Sequence, residues 1–266
     1  MKDEAIGSFA RPVRIERDGR GVVTLTLDRP GSFNSLSNAM LADLQDHLDR
    51  IAVDESARVV IIAASGKAFS AGHDLREMRA EPSQANYEAL FARCARVMLT
   101  LQRLPVPVIA KVQGVATAAG CQLVAACDLA VASRMARFAV SGVNLGLFCS
   151  APSVALSRNL LRKPAFEMLV TGEFISAEAA RSMGLINRVA APEDLDAAVE
   201  ELAVAIVAKP RIAIALGKQL FYRQLECGVE AAYEDAGRTM ASNMMEDAAL
   251  EGVQAFIDKR KPSWAG

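Results

Sequence analysis

The chain has 266 residues, 52% of them hydrophobic, and its 30 basic and 31 acidic side chains leave a net charge of −1. That length and apolar content suffice for one large folded domain or two smaller ones. The near-zero charge offers no basic surplus for nucleic acid or an anionic membrane surface, and no uncharged run reaches the roughly 18–20 residues of a membrane span.

Cysteine usage and the first residues favour a cytoplasmic protein. The five cysteines are scattered without a C-x-x-C pair, so neither a disulfide framework nor a zinc site is expected. We expect most of them to be small buried side chains in a reducing compartment. Residues 1–11 include Asp3 and Glu4 and no apolar run, so no signal peptide is predicted.

The first half of the chain alternates predicted strands with predicted helices. Residues 20–28 alternate apolar and polar side chains, which is typical of a strand, and Ser37 is a candidate N-cap for the helix that follows. Further along, short apolar runs predict strands buried on both faces, and helical spacing predicts helices between them. The predicted strands are 59–63, 108–112 and 129–133, and the predicted helices are 85–104 and 118–127. This order predicts an α/β core.

The end of the chain has a different character. From about residue 195 nearly all of the sequence has helical composition, interrupted at Pro210. We therefore predict an α/β core over residues 1–200 and a helical region over residues 201–266. The apolar content of that region predicts that it packs on another surface, for which a neighbouring subunit is a candidate.

Two segments of small residues follow buried strands and lead into helices. Phe69-Ser70-Ala71-Gly72-His73-Asp74, taken alone, fits an ordinary turn with an Asp N-cap. Residues 114–122, taken alone, fit a tightly packed helix of small residues. Together they favour another interpretation, because each offers a backbone N–H at a helix start. Two such groups can hold a carbonyl oxygen that gains negative charge.

The same two segments resemble the signature segments of the crotonase, or enoyl-CoA hydratase/isomerase, superfamily. The resemblance covers nearly the whole chain, including Leu27-Asp28-Arg29-Pro30, Ala126-Cys127-Asp128-Leu129-Ala130 and Leu169-Val170-Thr171-Gly172. It implies a crotonase-like α/β spiral of ββα turns and a helical C-terminal trimerisation region, hence a homotrimer or a hexamer made of two trimers. Within the superfamily, the chain resembles the enoyl-CoA hydratase domain-containing proteins that lack the catalytic glutamates.

The resemblance also implies roles for particular residues. It assigns the two oxyanion-holding amides to His73 and Ala119. An acyl-CoA or enoyl-CoA thioester would lie against Phe33, Ala71, His73, Asp74, Leu75 and Ala119, and against Phe256 and Lys259 of a neighbouring subunit. Coenzyme A is implied only as part of this substrate, with no permanently bound cofactor and no metal. The basic run 259–261 fits either attraction for the CoA phosphates or a solvated chain end.

Two positions depart from the pattern of typical hydratases, which carry glutamates where this chain has Gln122 and Gly142. The carboxamide of Gln122 can hold a water but cannot accept a proton at neutral pH. Gly142 has no side chain at all. Because acid–base groups contribute roughly 10²–10⁴-fold each, we expect weak hydration of an enoyl-CoA or a different reaction.

Few side chains could replace the missing glutamates. His73 has an ordinary pKa of about 6.5, but its ring could point away from the site. Cys149 and Ser150 are interpreted as lining the pocket. The remaining candidates are given other roles: a helix cap for Asp74, a surface position for His47, water orientation for Asn144 and a turn for Asp128.

Several functions therefore stay open at the level of the sequence. An acyl-CoA enzyme could catalyse hydration, isomerisation, decarboxylation or thioester hydrolysis. A non-catalytic acyl-CoA-binding protein fits the missing glutamates but not the retained oxyanion segments. RNA binding is disfavoured by the net charge, and a Ser/His/Asp hydrolase would need His73 beside a serine, which nothing in the sequence supports. We expect a lyase of the enoyl-CoA hydratase/isomerase type with weak or atypical activity.

Overall fold

The computed structural model describes residues 11–264. Residues 1–10, on which the expectation of no signal peptide rests, lie outside the described residues. The strands are β1 Val13–Arg17, β2 Val22–Leu27, β3 Val59–Ala64, β4 Ala68–Ser70, β5 Val108–Val112, β6 Val115–Thr117, β7 Leu129–Ser133, β8 Arg137–Ala139, β9 Ile175–Ser176 and β10 Arg188–Ala190. The helices are α1 Asn38–Ala52, α2 Leu75–Ala80, α3 Gln84–Arg103, α4 Ala119–Ala126, α5 Ser150–Asn159, α6 Arg162–Thr171, α7 Ala177–Met183, α8 Leu195–Val207, α9 Arg211–Gln224, α10 Val229–Met244 and α11 Asp247–Ile257. Between residues 11 and 264, no helix is both long enough and apolar enough to span a membrane.

The strands form two sheets, and from β3 to β8 successive strands alternate between them. The larger sheet has the order β1-β2-β3-β5-β7-β10 and is parallel except between β1 and β2. The smaller sheet has the order β4-β6-β8-β9 and is parallel from β4 to β8. In each of the pairs β3–β4, β5–β6 and β7–β8, the first strand belongs to the larger sheet and the second to the smaller sheet, and the next α-helix follows the pair. This arrangement confirms the predicted spiral of ββα turns.

Both faces of the larger sheet are covered, which explains the continuous apolar run of β3. Val60 and Ile62 face the main core with the leucines of α1, and Val59 and Ile61 pack on the other face. That second face is covered by α8, which contributes Leu195, Val199 and Ala203. The predicted domain boundary at residue 200 falls inside α8 and stays a prediction.

Burial corrects the prediction for His47, which is only 4% exposed and therefore not a surface residue. Helix α1 packs against α3 and also against β1, so the side that looked solvent-facing in the sequence is covered. The Nε2 atom of His47 lies 3.7 Å from an oxygen of Asp43, inside this packing.

Most cysteines behave as the sequence predicts. Four of them are buried and only Cys227 is exposed. Burial raises the pKa of the Cys94 and Cys121 thiols to about 12. These thiols therefore stay protonated at neutral pH and act as small apolar side chains.

Asp128 has a more specific role than the predicted turn. Its carboxylate accepts hydrogen bonds from the Val108 amide at 2.6 Å, from Lys218 Nζ at 2.6 Å and from the Tyr222 hydroxyl at 2.7 Å. Lys218 and Tyr222 belong to α9, about ninety positions further along the chain. The carboxylate thus joins the end of α4, the start of β5 and the C-terminal helical region.

Candidate active site

The first strands of the smaller sheet end side by side. Strands β4, β6 and β8 are parallel neighbours, so their C-terminal ends share one edge. The residues that follow them, 71–74, 118–122 and 140–149, form what we call the small-sheet edge. Ligands of open α/β sheets bind beyond the C-terminal ends of the strands, so this edge is the place to look for a site.

Two glycines hold the two small-residue segments together. Gly72 has φ +88°, and a Cβ on it would lie 2.9 Å from Ala118 Cβ and 3.1 Å from the nitrogen of Ala119. A Cβ on Gly120 would overlap the main-chain oxygen of Ser70. Only glycine allows this approach. The structure therefore brings together the two segments that the sequence singled out.

The backbone amides predicted to hold an oxyanion are both unpaired. Neither His73 nor Ala119 donates its N–H to another residue in the described part of the chain. Ala118, which precedes α4, has φ +49° and ψ −123°, a conformation that costs an alanine roughly 1–3 kcal/mol. Such strain concentrates at functional sites. Two free amides at this edge, one at the start of α4, can stabilise a negatively charged oxygen.

The residues predicted to line the thioester meet next to these amides. The amide of Ala71 donates to the oxygen of Phe33 at 3.0 Å, and Ser35 Oγ lies 3.3 Å from a carboxylate oxygen of Asp74. Asp74 also caps the first turn of α2, as predicted. Phe33 and Leu75 are large apolar side chains that are 58% and 55% exposed. Their role in holding a thioester stays a prediction.

The ring of His73 is engaged away from its own amide. Its Nδ1 lies 3.3 Å from the oxygen of Leu36, and the ring centroid lies 5.6 Å from that of Phe91 on α3. Burial lowers the pKa of the imidazole below its ordinary value, so the ring is neutral at neutral pH. The Nδ1 atom is therefore occupied by a main-chain oxygen, whereas the N–H of His73 has no partner among the described residues.

Gln122 supplies an unpaired polar group beside the start of α4. It stands three positions after Ala119, on the same helix face, and helical side chains cover the turn that precedes them. The side chain is 5% exposed, and its Oε1 is buried without a hydrogen-bond partner among residues 11–264. Since an unpaired buried polar atom costs about 1–3 kcal/mol, this carboxamide is suited to receive a ligand or a water.

Gly142 is enclosed by its own turn. Its N–H donates to Cys149 Sγ at 3.3 Å, and a Cβ would lie 2.5 Å from the oxygen of Leu147 and 2.7 Å from that Sγ. A glutamate at this position would require the main chain to move. In this turn the Cys149 thiol occupies the space that a side chain at position 142 would need.

One pair at this edge was missed by sequence reasoning. Thr117 Oγ1 lies 3.0 Å from Ser141 Oγ, which links the end of β6 to the turn after β8. Thr117 is the last residue of β6 and Ser141 lies two positions after β8, and these short strands carry no periodic signal. Thr117 lies inside the segment 114–122, but nothing in the sequence indicates that it contacts Ser141.

The C-terminal candidates lie elsewhere in the chain. Phe256 is 85% exposed on α11, which packs on α9 and α10. Lys259 follows this helix with φ +54°, and Arg260 is paired with Glu251 at 2.7 and 2.9 Å. No hydrogen bond within residues 11–264 links Phe256 or Lys259 to the small-sheet edge. Asn144 is exposed, and its Nδ2 lies 3.4 Å from the oxygen of Gly172.

The fold and this edge define an α/β protein of the crotonase type. The sequence profile of the enoyl-CoA hydratase/isomerase family matches residues 17–266, and the chain belongs to this family. Among its relatives is the mitochondrial enoyl-CoA hydratase domain-containing protein 3 of Xenopus laevis. That protein is 45% identical over 253 residues, which cover 95% of this chain and 86% of the relative.

Solved structures agree with this assignment. The crystal structure of an enoyl-CoA hydratase of Mycobacterium smegmatis is 65% identical, with a TM-score of 0.95 over 96% of this chain and 99% of that chain. Human enoyl Coenzyme A hydratase domain-containing protein 3 is 44% identical, with a TM-score of 0.92 over 96% of this chain and 100% of that chain. The predicted resemblance and fold class are thereby confirmed.

Proposed function

We propose that the small-sheet edge binds an acyl-CoA thioester, with the thioester carbonyl oxygen between the amides of His73 and Ala119. The observation that supports this proposal is the close approach of the two segments at Gly72, together with two main-chain N–H groups that have no partner among the described residues. Phe33 and Leu75 add exposed apolar surface beside them. Coenzyme A then enters as part of the substrate, in keeping with a family that acts on CoA thioesters.

Such a site polarises the thioester carbonyl and stabilises an enolate at its oxygen. Hydration also needs a group that activates water, and neither Gln122 nor Gly142 can accept a proton. The proposal is therefore an enzyme of the hydratase/isomerase type whose hydration of crotonyl-CoA is weak. Isomerisation, decarboxylation and thioester hydrolysis use the same two amides.

A second candidate is an acyl-CoA-binding protein without catalysis. It is favoured by the turn at Gly142, where Cys149 fills the space that a catalytic side chain would need. Steady-state assays with crotonyl-CoA, run beside a binding assay with the same thioester, separate the two candidates. Binding without turnover of any thioester favours the second.

Replacing Ala119 with proline tests the oxyanion role. Proline removes the N–H, so we expect turnover of crotonyl-CoA to fall by about 10²–10³-fold. Because Ala118 has φ +49° and ψ −123°, which is not the extended conformation favoured before proline, circular dichroism is used to select conditions in which the variant is folded. Gln84→Pro is the matched control, because Gln84 is the exposed first residue of α3 and the preceding Ser83 has φ −142° and ψ 151°, as required before proline. Unchanged turnover and thioester affinity in folded Ala119→Pro would contradict the proposal.

The assembly that we propose is a homotrimer or a hexamer of two trimers. Helices α9 to α11 carry large apolar side chains that the single chain leaves exposed: Phe221, Val229, Tyr233, Met240, Met245 and Phe256. In such an assembly, Phe256 and Lys259 of one subunit would lie near the thioester bound by the neighbouring subunit. A mass in light scattering of three or six times the 28.4-kDa chain supports this assembly.

A cytoplasmic location remains part of the proposal. It is supported by the cysteines, four of which are buried as free thiols. The Xenopus laevis relative is named as a mitochondrial protein, and that name describes the relative only. Fractionation of cells that express the protein tests the location.

A further inference from the structure

Apart from the carboxylate of Asp74, the polar side chains beside the two amides of the small-sheet edge are neutral. Gln122 brings a carboxamide, Thr117 and Ser141 bring a pair of hydroxyls, and Cys149 brings a thiol whose pKa is raised by burial. The carboxylate of Asp74 is engaged with the first turn of α2. None of the neutral groups, Gln122, Thr117, Ser141 and Cys149, is a base that could take a proton from water or from carbon at neutral pH.

The same edge favours a negative charge on the ligand. Helices α4 and α5 both begin there, at Ala119 and Ser150, and neither has an acidic residue in its first turn. The N-cap of α5, Cys149, makes no side-chain cap and instead accepts the amide of Gly142. Helix N-termini attract anions through their free N–H groups and dipoles.

Gln122 is the independent sign of a ligand at this place. It is buried, its oxygen has no partner among the described residues, and it lies over the first turn of α4. A carboxamide can rotate to present either its oxygen or its NH₂ group. It can therefore donate to an anionic group that neighbours the thioester carbonyl.

We infer that the substrates are 2-carboxyacyl-CoA thioesters and that the reaction is their decarboxylation. This inference rests on the proposed function, because it assigns a substrate class to the same site. The bond between C2 and the carboxylate breaks and CO₂ leaves. The electron pair moves into the thioester, whose oxygen takes up the charge at His73 and Ala119. A proton from water then adds to C2, and the product is the acyl-CoA that lacks the carboxylate.

This reaction needs the two amides but no protein base, because the departing carboxylate itself supplies the electrons. Glutamates at positions 122 and 142 would repel the carboxylate of such a substrate. Their replacement by Gln122 and Gly142 removes that repulsion. The replacement of both glutamates by Gln122 and Gly142 weakens hydration. The same replacement is what a carboxylated thioester requires.

The first experiment offers methylmalonyl-CoA to the purified wild-type protein. Mass spectrometry of the acyl-CoA pool follows the loss of CO₂, with heat-denatured protein as the blank. We expect propionyl-CoA to form, and at a higher rate than crotonyl-CoA is hydrated. If no propionyl-CoA forms although the protein binds propionyl-CoA in calorimetry, the inference is overturned and the proposed function stands. If neither thioester binds, both are overturned.

The second experiment adds a negative charge at nearly constant shape. We expect Gln122→Glu to slow CO₂ release by about tenfold or more, because like charges repel in a partly buried site. Gln219→Glu makes the same charge change on the exposed side of α9 and is expected to keep the wild-type rate. Binding of propionyl-CoA, which has no carboxylate, is measured for each protein to show that the site is intact. Equal CO₂ release by Gln122→Glu and wild type would overturn the inference.

Discussion

Methionine in place of Lys218 is expected to lower the free energy of unfolding by about 3–5 kcal/mol, the usual cost of removing one partner of a buried ion pair. The ammonium group donates to Asp128 Oδ2 at 2.6 Å and to the main-chain oxygens of Leu101 and Val106 at 2.8 and 2.9 Å. Methionine keeps the apolar stem but leaves a largely buried carboxylate and two main-chain oxygens without this donor. Urea unfolding followed by circular dichroism measures the effect.

The control for this prediction also removes the negative charge of Asp128, which the single variant leaves without its ion-pair partner. The double variant Lys218→Met/Asp128→Asn is expected to recover part of the lost stability, because a neutral carboxamide needs no cation. The double variant also gives a measurable protein if the single one does not fold. A single variant within about 1 kcal/mol of wild type would show that the pair contributes little.

Adding one methyl group at Gly120 is expected to damage both stability and thioester binding. The new Cβ of Gly120→Ala would overlap the oxygen of Ser70, and this oxygen belongs to the main chain and cannot rotate away. Overpacking of this kind costs about 1–3 kcal/mol. Because either β4 or α4 must move, the amides of His73 and Ala119 separate. We expect the affinity for crotonyl-CoA to fall by about tenfold or more.

The matched control is Gly19→Ala in the turn before β2. A Cβ there meets nothing within 4 Å, so stability should stay within about 0.5 kcal/mol of wild type and binding should not change. Calorimetric titration with crotonyl-CoA and urea unfolding are run on all three proteins. Equal affinity of Gly120→Ala and wild type would mean that the contact between the two segments does not set the position of the amides.

The longer elements could be predicted because their pattern is local. The strands β5 and β7 match the predicted residues, and α4 lies within the predicted helix 118–127. The strands β4, β6 and β8 have three residues each, too few to show a period. The sheet that carries the small-sheet edge was therefore the part that sequence patterns could not predict.

The candidate site also has parts that local sequence could predict and parts that it could not. The glycine-rich segments at Gly72 and Gly120 were recognisable, because close main-chain approach demands glycine within a short stretch. The enclosure of Gly142 by Cys149 depends on how a turn folds back. The partners of Asp128 lie 90 and 94 positions away, at Lys218 and Tyr222, and no local pattern could reveal them.

The turn at Gly142 separates this chain from a glutamate-bearing hydratase by more than two codon changes. A side chain there meets the oxygen of Leu147 at 2.5 Å and the sulfur of Cys149 at 2.7 Å. A glutamate would first have to be accommodated by changes in residues 147–149. The turn at Gly142 therefore sets the order in which mutations can occur: residues 147–149 have to change before a larger side chain at position 142 is accepted.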